Sequence, residues 1–185
     1  MNDASVMLLR CTNAGSISSE KDTAGGIAVS CRTGSIADCR NAGSVTSPKE
    51  TGGILAYFQP GVFGTPCEIF TVSGCENSGA VSSTGNYAAG GICGMIYGEE
   101  TRLVFENCVN SGSIYTVFPG GLTQEIYAGG IVGCCPIELP DENLLPLFDD
   151  LRIENCESTG KLDGDREPDI LCTDDLCGSW QSRLS

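Results

Sequence analysis

The 185-residue sequence predicts an all-β fold, a parallel β-solenoid (β-helix) of about five turns with inserted loops. Three observations carry this. A motif of Cys, any residue, Asn, small, Gly, small, Ile/Val reads CTNAGSI from Cys11, CRNAGSV from Cys39, CENSGAV from Cys75 and CVNSGSI from Cys108. A decayed copy, CESTGKL, starts at Cys156, and a shorter echo, CRTGSI, at Cys31. The motif holds while the cysteine-to-cysteine step varies through 28, 36, 33 and 48 residues, as when turns repeat and loops grow between their strands. Apolar positions alternate with period two among β-branched residues and glycine, a strand pattern that helical and leucine-rich repeats do not share.

Each turn is then read as two or three short strands. The first is the apolar pair five and three residues before the cysteine: Val6/Leu8, Phe70/Val72, Leu103/Phe105 and Leu151/Ile153, with Gly34/Ile36 in the second copy. A corner follows near the cysteine and asparagine. The second strand runs from Gly-Ser-Ile onward, and a polar corner such as Ser18–Asp22 closes it. The third lies at Gly-Gly-Ile, found at Gly25, Gly52, Gly90 and Gly129, with Asp169-Ile170-Leu171 in its place in the last copy. Cys, Asn, Gly and Ile at offsets 0, 2, 4 and 6 share one face of an extended chain, and that face is placed inward. Stacked turns about 4.8 Å apart make columns. These are cysteine (11, 39, 75, 108, 156), asparagine (Asn13, Asn41, Asn77, Asn110, ending in Ser158) and Ile17, Val45, Val81, Ile114, Leu162. An asparagine column passes hydrogen bonds from rung to rung, and the motif glycine provides positive φ or a close approach at a corner. The winding is expected to be right-handed.

Composition narrows the function. Glycine numbers 25 and cysteine 12, while aromatics are 6% and histidine is absent. Without histidine the chain builds no Ser-His-Asp triad, Cys-His pair or His-ligated metal. A net charge of −14 argues against nucleic acid and anionic membrane surfaces as partners. No apolar run approaches the 18 or so residues of a spanning helix, so no membrane insertion is expected. The opening MNDASVMLLRC has no leader-like basic and apolar run. Because the strand before Cys11 begins almost at once, the chain is expected to be a fragment of a longer solenoid with an open N-terminal face.

The pairing of Cys-x-Asn-x-Gly-x-Ile with Ala-Gly-Gly-Ile-x-Gly resembles the GLUG-type repeats of bacterial surface and secreted proteins. Ala89–Gly94 and Ala128–Gly133 are the nearest copies, and the likeness covers about residues 5–172. The resemblance implies a solenoid segment of a larger exported protein at the bacterial cell surface or outside the cell, acting as a stalk or adhesive scaffold. It brings no catalytic residues. The last copy departs from the pattern, having lost the asparagine and the double glycine.

The solenoid is expected over residues 1–172 and a tail or cap over 173–185, with Trp180 as a lid. Three inserts interrupt it: Gln59–Pro66, Tyr115–Tyr127 as a hairpin, and Cys134–Leu151, where Asp141 caps a short helix broken at Pro146. Residues 134–185 hold 13 acids and 4 bases, a net of −9, against −5 for the other 133. Asp163, Asp165, Glu167 and Asp169 are oxygen ligands of a kind that suits calcium, but lack the full 12-residue loop; no metal site is assigned. Vicinal Cys134-Cys135 and the Cys172/Cys177 pair do not make a Cys₄ zinc spacing. The motif cysteines are expected as buried thiols, although export favours disulfides and a rung step allows them.

The sequence thus reads as a non-catalytic module, with no catalytic, cofactor-binding or metal residues, whose partner is an unidentified protein or glycan. The alternative is a carbohydrate-binding or carbohydrate-active β-helix. A hydrolase needs two carboxylates about 5–9.5 Å apart, and Asp149, Asp150, Asp174 and Asp175 fall near one end rather than on neighbouring rungs. Ice binding wants flat Thr-x-Thr columns, and the outward positions are irregular.

Overall fold

A computed structural model describes residues 6–59, 69–85, 87–97, 102–116, 128–135, 150–164 and 177–179. These residues form strands and no helix. The first rung holds β1 (Val6–Leu9), β2 (Thr12–Asn13), β3 (Ile17–Ser18), β4 (Ala24–Gly25) and β5 (Ala28–Cys31). The second holds β6 (Gly34–Ala37), β7 (Arg40–Asn41), β8 (Val45–Ser47), β9 (Thr51–Gly52) and β10 (Leu55–Phe58). The third comprises β11 (Phe70–Ser73), β12 (Glu76–Asn77), β13 (Val81–Ser83), β14 (Ala89–Gly90) and β15 (Cys93–Ile96). The fourth comprises β16 (Arg102–Glu106), β17 (Val109–Asn110), β18 (Ile114–Thr116), β19 (Ala128–Gly129) and β20 (Val132–Cys135). β21 (Asp150–Glu154), β22 (Glu157–Ser158), β23 (Leu162–Gly164) and β24 (Cys177–Ser179) make the fifth.

Equivalent strands of successive rungs pair in parallel, so five sheets run along the molecule: β1-β6-β11-β16-β21, β2-β7-β12-β17-β22, β3-β8-β13-β18-β23, β4-β9-β14-β19 and β5-β10-β15-β20-β24. The fold is the parallel β-solenoid of five turns that the repeat implies. The registers are those of the motif: Asn13↔Asn41, Asn77↔Asn110 and Val81↔Ile114 lie directly over one another.

A rung, however, contains up to five strands rather than two or three. The reason is a corner one residue earlier than expected. Arg10, Asp38, Gly74, Asn107 and Asn155, each immediately before a motif cysteine, have φ between 51° and 57°. That left-handed residue swings the chain out of the first strand. Most L-residues there cost about 1–2 kcal/mol, whereas Gly, Asn and Asp tolerate it, and four of the five positions hold one of those three. Two residues of strand follow, and the motif glycine bends the chain again. That glycine is not itself left-handed. It is required by close approach, because a Cβ on Gly43, Gly79, Gly112 or Gly160 would fall within 3.0 Å of the equivalent glycine carbonyl one rung before.

The Cys31 echo is a seam and not a further motif copy. Cys31 ends the first rung and Gly34-Ser35-Ile36 opens the second.

The interior is a stack of apolar columns. Leu8, Ile36, Val72, Phe105 and Ile153 form one, and Phe70, Leu103 and Leu151 another. Ile54, Ile92 and Ile131, the isoleucines of Gly-Gly-Ile, close the opposite wall and are fully buried. Phe58 and Phe70 join the walls with ring centroids 4.5 Å apart.

The inserts leave from strand ends. Tyr115 and Thr116 belong to β18, Cys134 and Cys135 to β20, and Asp150 and Leu151 to β21, so the described ends of those inserts are ladder. The rest of each insert, the helix at Asp141–Pro146 included, lies outside the described residues, as does Trp180. Among the described residues no helix is long and apolar enough to cross a membrane.

Candidate functional site

The asparagine ladder organises one wall. Asn13 Nδ2 donates to Asn41 Oδ1 at 2.7 Å, Asn41 to Asn77 at 2.8 Å, Asn77 to Asn110 at 2.8 Å, and Asn110 to Ser158 Oγ at 3.2 Å. Each of the four amides also donates to the carbonyl of its own motif glycine, at 2.8–3.0 Å. The second glycine of Gly-Gly-Ile faces this ladder from across the interior. A Cβ on Gly26, Gly53 or Gly91 would meet Asn41, Asn77 or Asn110 respectively at less than 3.0 Å. The two halves of the repeat therefore pack on each other, which explains why they recur together.

The cysteine column stands beside the ladder. Cys11, Cys39, Cys75, Cys108 and Cys156 are free thiols, as are Cys31 and Cys93 in the opposite sheet. The column sulfurs donate to carbonyl oxygens two residues earlier in the chain: Cys39 to Ala37 at 3.3 Å, Cys75 to Ser73 at 3.4 Å and Cys108 to Glu106 at 3.5 Å. Burial pushes the Cys39 thiol up to about 11 and raises Cys31 as well. Cys108 is pushed upward first by its hydrogen bond to Cys156, then by its contact with Cys75 and by burial. Cys156, half-exposed, moves the other way, down to about 7, chiefly through the hydrogen bond from Cys108. The Cys108 backbone N–H lies 3.4 Å from the Cys156 sulfur.

Outside the corner, Arg10, Thr12, Asp38, Arg40 and Gly74 line an open cavity of about 380 Å³. Arg40 Nη2 pairs with Glu76 Oε1 at 3.2 Å, both largely exposed. The arginine N–H groups suit a carboxylate. Only the left-handed corner signal marks this place in the sequence, and Arg10 disguises its Asp/Gly/Asn pattern.

A second cluster forms around β9 and β15. Tyr97 donates its hydroxyl to Glu50 Oε1, and the Glu50 side chain is buried. Tyr57 stands edge-on to Tyr97 with centroids 5.7 Å apart. Nearby, Lys49 Nζ pairs with Asp22 at 3.0 Å and holds that carboxyl below its usual range.

Of the sequence-derived candidates, Asp163 lies in β23 and Asp150 opens β21, while Asp165, Glu167, Asp169, Asp149, Asp174, Asp175 and Cys172 lie outside the described residues. Among the described residues no three Cys, Asp or Glu side chains gather around a point where a metal ion would sit. Ser83 is fully buried, and its hydroxyl donates to the Lys49 carbonyl at 3.0 Å. Ser47 Oγ and Thr51 Oγ1 lie 2.6 Å apart in the same buried polar strip.

No family model matches the chain, and neither the curated proteins nor the solved structures yield a match.

Proposed function

We propose that this chain is a non-catalytic repeat module of a bacterial cell-surface or secreted protein, a stalk or adhesion scaffold of the GLUG-repeat kind that its motif resembles. One observation carries this reading: the described motif residues are taken up in holding rungs together. Asparagine, cysteine and isoleucine form columns, and the glycines clear space for carbonyls and asparagines. Outward positions change from rung to rung, as in the column Thr12, Arg40, Glu76, Val109, Glu157. A repeat of this kind encodes a rod and leaves its surface free to vary.

A carbohydrate-binding role is the second reading. The half-buried Tyr57 and Tyr97, with Glu50 buried behind them, favour it, since an aromatic ring offers an apolar surface with a polar end to a ligand. Incubating the purified chain with polysaccharides, with both a glycan-array and a product-release readout, tests both readings. The scaffold reading expects no released product. Release that a single carboxylate substitution abolishes would overturn it. Array binding lost in Tyr57→Ala would move the chain to the second reading.

A further inference from the structure

We propose that copies of this chain stack head to tail, the first rung of one copy on the fifth rung of the next. The inference rests on the two ends of the described solenoid and not on the adhesive role. β1, β2 and β3 are edge strands at one end of their sheets, and β21, β22 and β23 are the edges at the other. The interior columns arrive at both edges incompletely covered: Leu8 and Cys11 at the first rung, Leu151, Ile153 and Cys156 at the fifth. Met7 is 73% exposed and Leu162 37%.

What fits on these edges follows from the register. Laying a first rung on a fifth brings Leu8 over Ile153, Cys11 over Cys156, Asn13 over Ser158 and Ile17 over Leu162. Each pairing continues a column that already packs inside the molecule.

The hydrogen-bond groups select this orientation. Every step of the asparagine ladder donates from the earlier rung to the later one. The Asn13 Oδ1 therefore accepts from Gly15 N–H at 3.1 Å but from no earlier rung among the described residues. At the other end the Ser158 hydroxyl accepts from Asn110 and retains its own hydrogen to donate. A head-to-head contact would set acceptor against acceptor.

The backbone agrees. Val6 and Arg10 donate inward, to Thr33 and Ala37 of the second rung. Alternation along a strand then turns the N–H groups of Met7 and Leu9 to the open edge. At the fifth rung Glu154 accepts inward, from Asn107 N–H, which turns the Ile153 amide outward. Charge is also complementary: exposed Arg10 at the head would lie between the columns of Glu154 and Glu157, both exposed at the tail. Such a contact is heterologous and does not close on itself.

Sedimentation of the full chain in reductant, across about a hundredfold range of concentration, tests this. The average mass should climb through successive multiples of one chain without settling at a dimer. Met7→Pro removes one outward amide and leaves the inward bonds of Val6 and Arg10 in place, so it should weaken association at least tenfold at unchanged circular dichroism. Ile153→Pro should do the same at the tail. Mixed, the two variants should form a one-to-one dimer and nothing larger, because each keeps the end the other lacks. The mixture guards against misfolding as the cause, since an unfolded variant forms no dimer. A wild-type chain that stays monomeric across that range would overturn the proposal, whether or not the Met7 and Leu9 amides are protected from exchange. So would a closed dimer, or Met7→Pro associating as strongly as wild type.

Discussion

Asn77 shows how much one side chain of the repeat holds. It is buried, donates to Gly79 O at 2.9 Å and to Asn110 Oδ1 at 2.8 Å, and accepts from Asn41 at 2.8 Å. Asn77→Ala strands three buried partners, each worth about 1–3 kcal/mol when unsatisfied. A loss of about 3–5 kcal/mol in urea unfolding is expected, and no more than about 1 for the half-exposed Asn13→Ala. At the corner, Arg10 bears the steric cost that its Asp, Gly and Asn counterparts avoid. Arg10→Asn should therefore stabilise the fold by about 0.5–1 kcal/mol, read in the same unfolding experiment. The thiols make a pH prediction with opposite signs at the two kinds of site. Cys156, with its folded value near 7 against 9.0 for the free thiol, adds stability as pH rises from 7 to 9. Cys39, raised to about 11 by burial, removes stability between 9 and 11, where the unfolded chain ionises and the folded one resists. The melting temperature should rise and then fall across that range, and Cys156→Ser should reduce the rise, leaving the part from Cys75, whose hydrogen bond with Cys108 also lowers it. The columns were legible in the sequence because identity repeats at fixed offsets. The corner was not, because tolerance of positive φ is shared by three residue types and is overridden at Arg10.

Strands two residues long are individually unstable, so each element of this molecule exists through its neighbours. That is why strand number per rung was hidden while strand pairing was plain. Pairing follows from repetition, whereas bends inside an alternating stretch leave no trace in the alternation. The Gly-Gly-Ile element shows the tightness required. A Cβ on Gly53 would press on both the Gly91 carbonyl and Asn77, each closer than 3.0 Å. Gly53→Ala should cost about 3 kcal/mol or more, or prevent folding, as overpacking against backbone does; a change below 1 in urea unfolding would mean the two walls are further apart than described. Within one sheet, Ile114→Ala should cost about 2–5 kcal/mol. Ser83→Ala should cost about 0.5–1.5, since it loses one buried hydrogen bond to Lys49 O and little apolar contact. Nothing local in the sequence marks Ser83 as interior, since serine is commoner at the surface. Only the tertiary strip with Ser47 and Thr51 reveals it as interior.

Over the whole molecule, contacts run between adjacent rungs, and stability is close to a sum of rung and interface terms. Amide exchange of the dilute, unassociated chain should accordingly be graded, with β11–β18 the most protected and β1–β3 the least. Uniform protection from Val6 onward would show that the first rung is held as firmly as the middle. The architecture was readable from the repeat, and the role was not, because a motif devoted to internal packing says little about what the outside meets. The constancy of the columns against steps of 28 to 48 residues has one more consequence. Length along the axis is independent of chain length: it is set by the number of motif copies, each adding about 4.8 Å. The molecule is graduated like a ruler. Excising residues 69–101 would set β10 before β16 and leave every column in phase, one division shorter, whereas inserting the same number of residues in a loop would leave the graduation untouched.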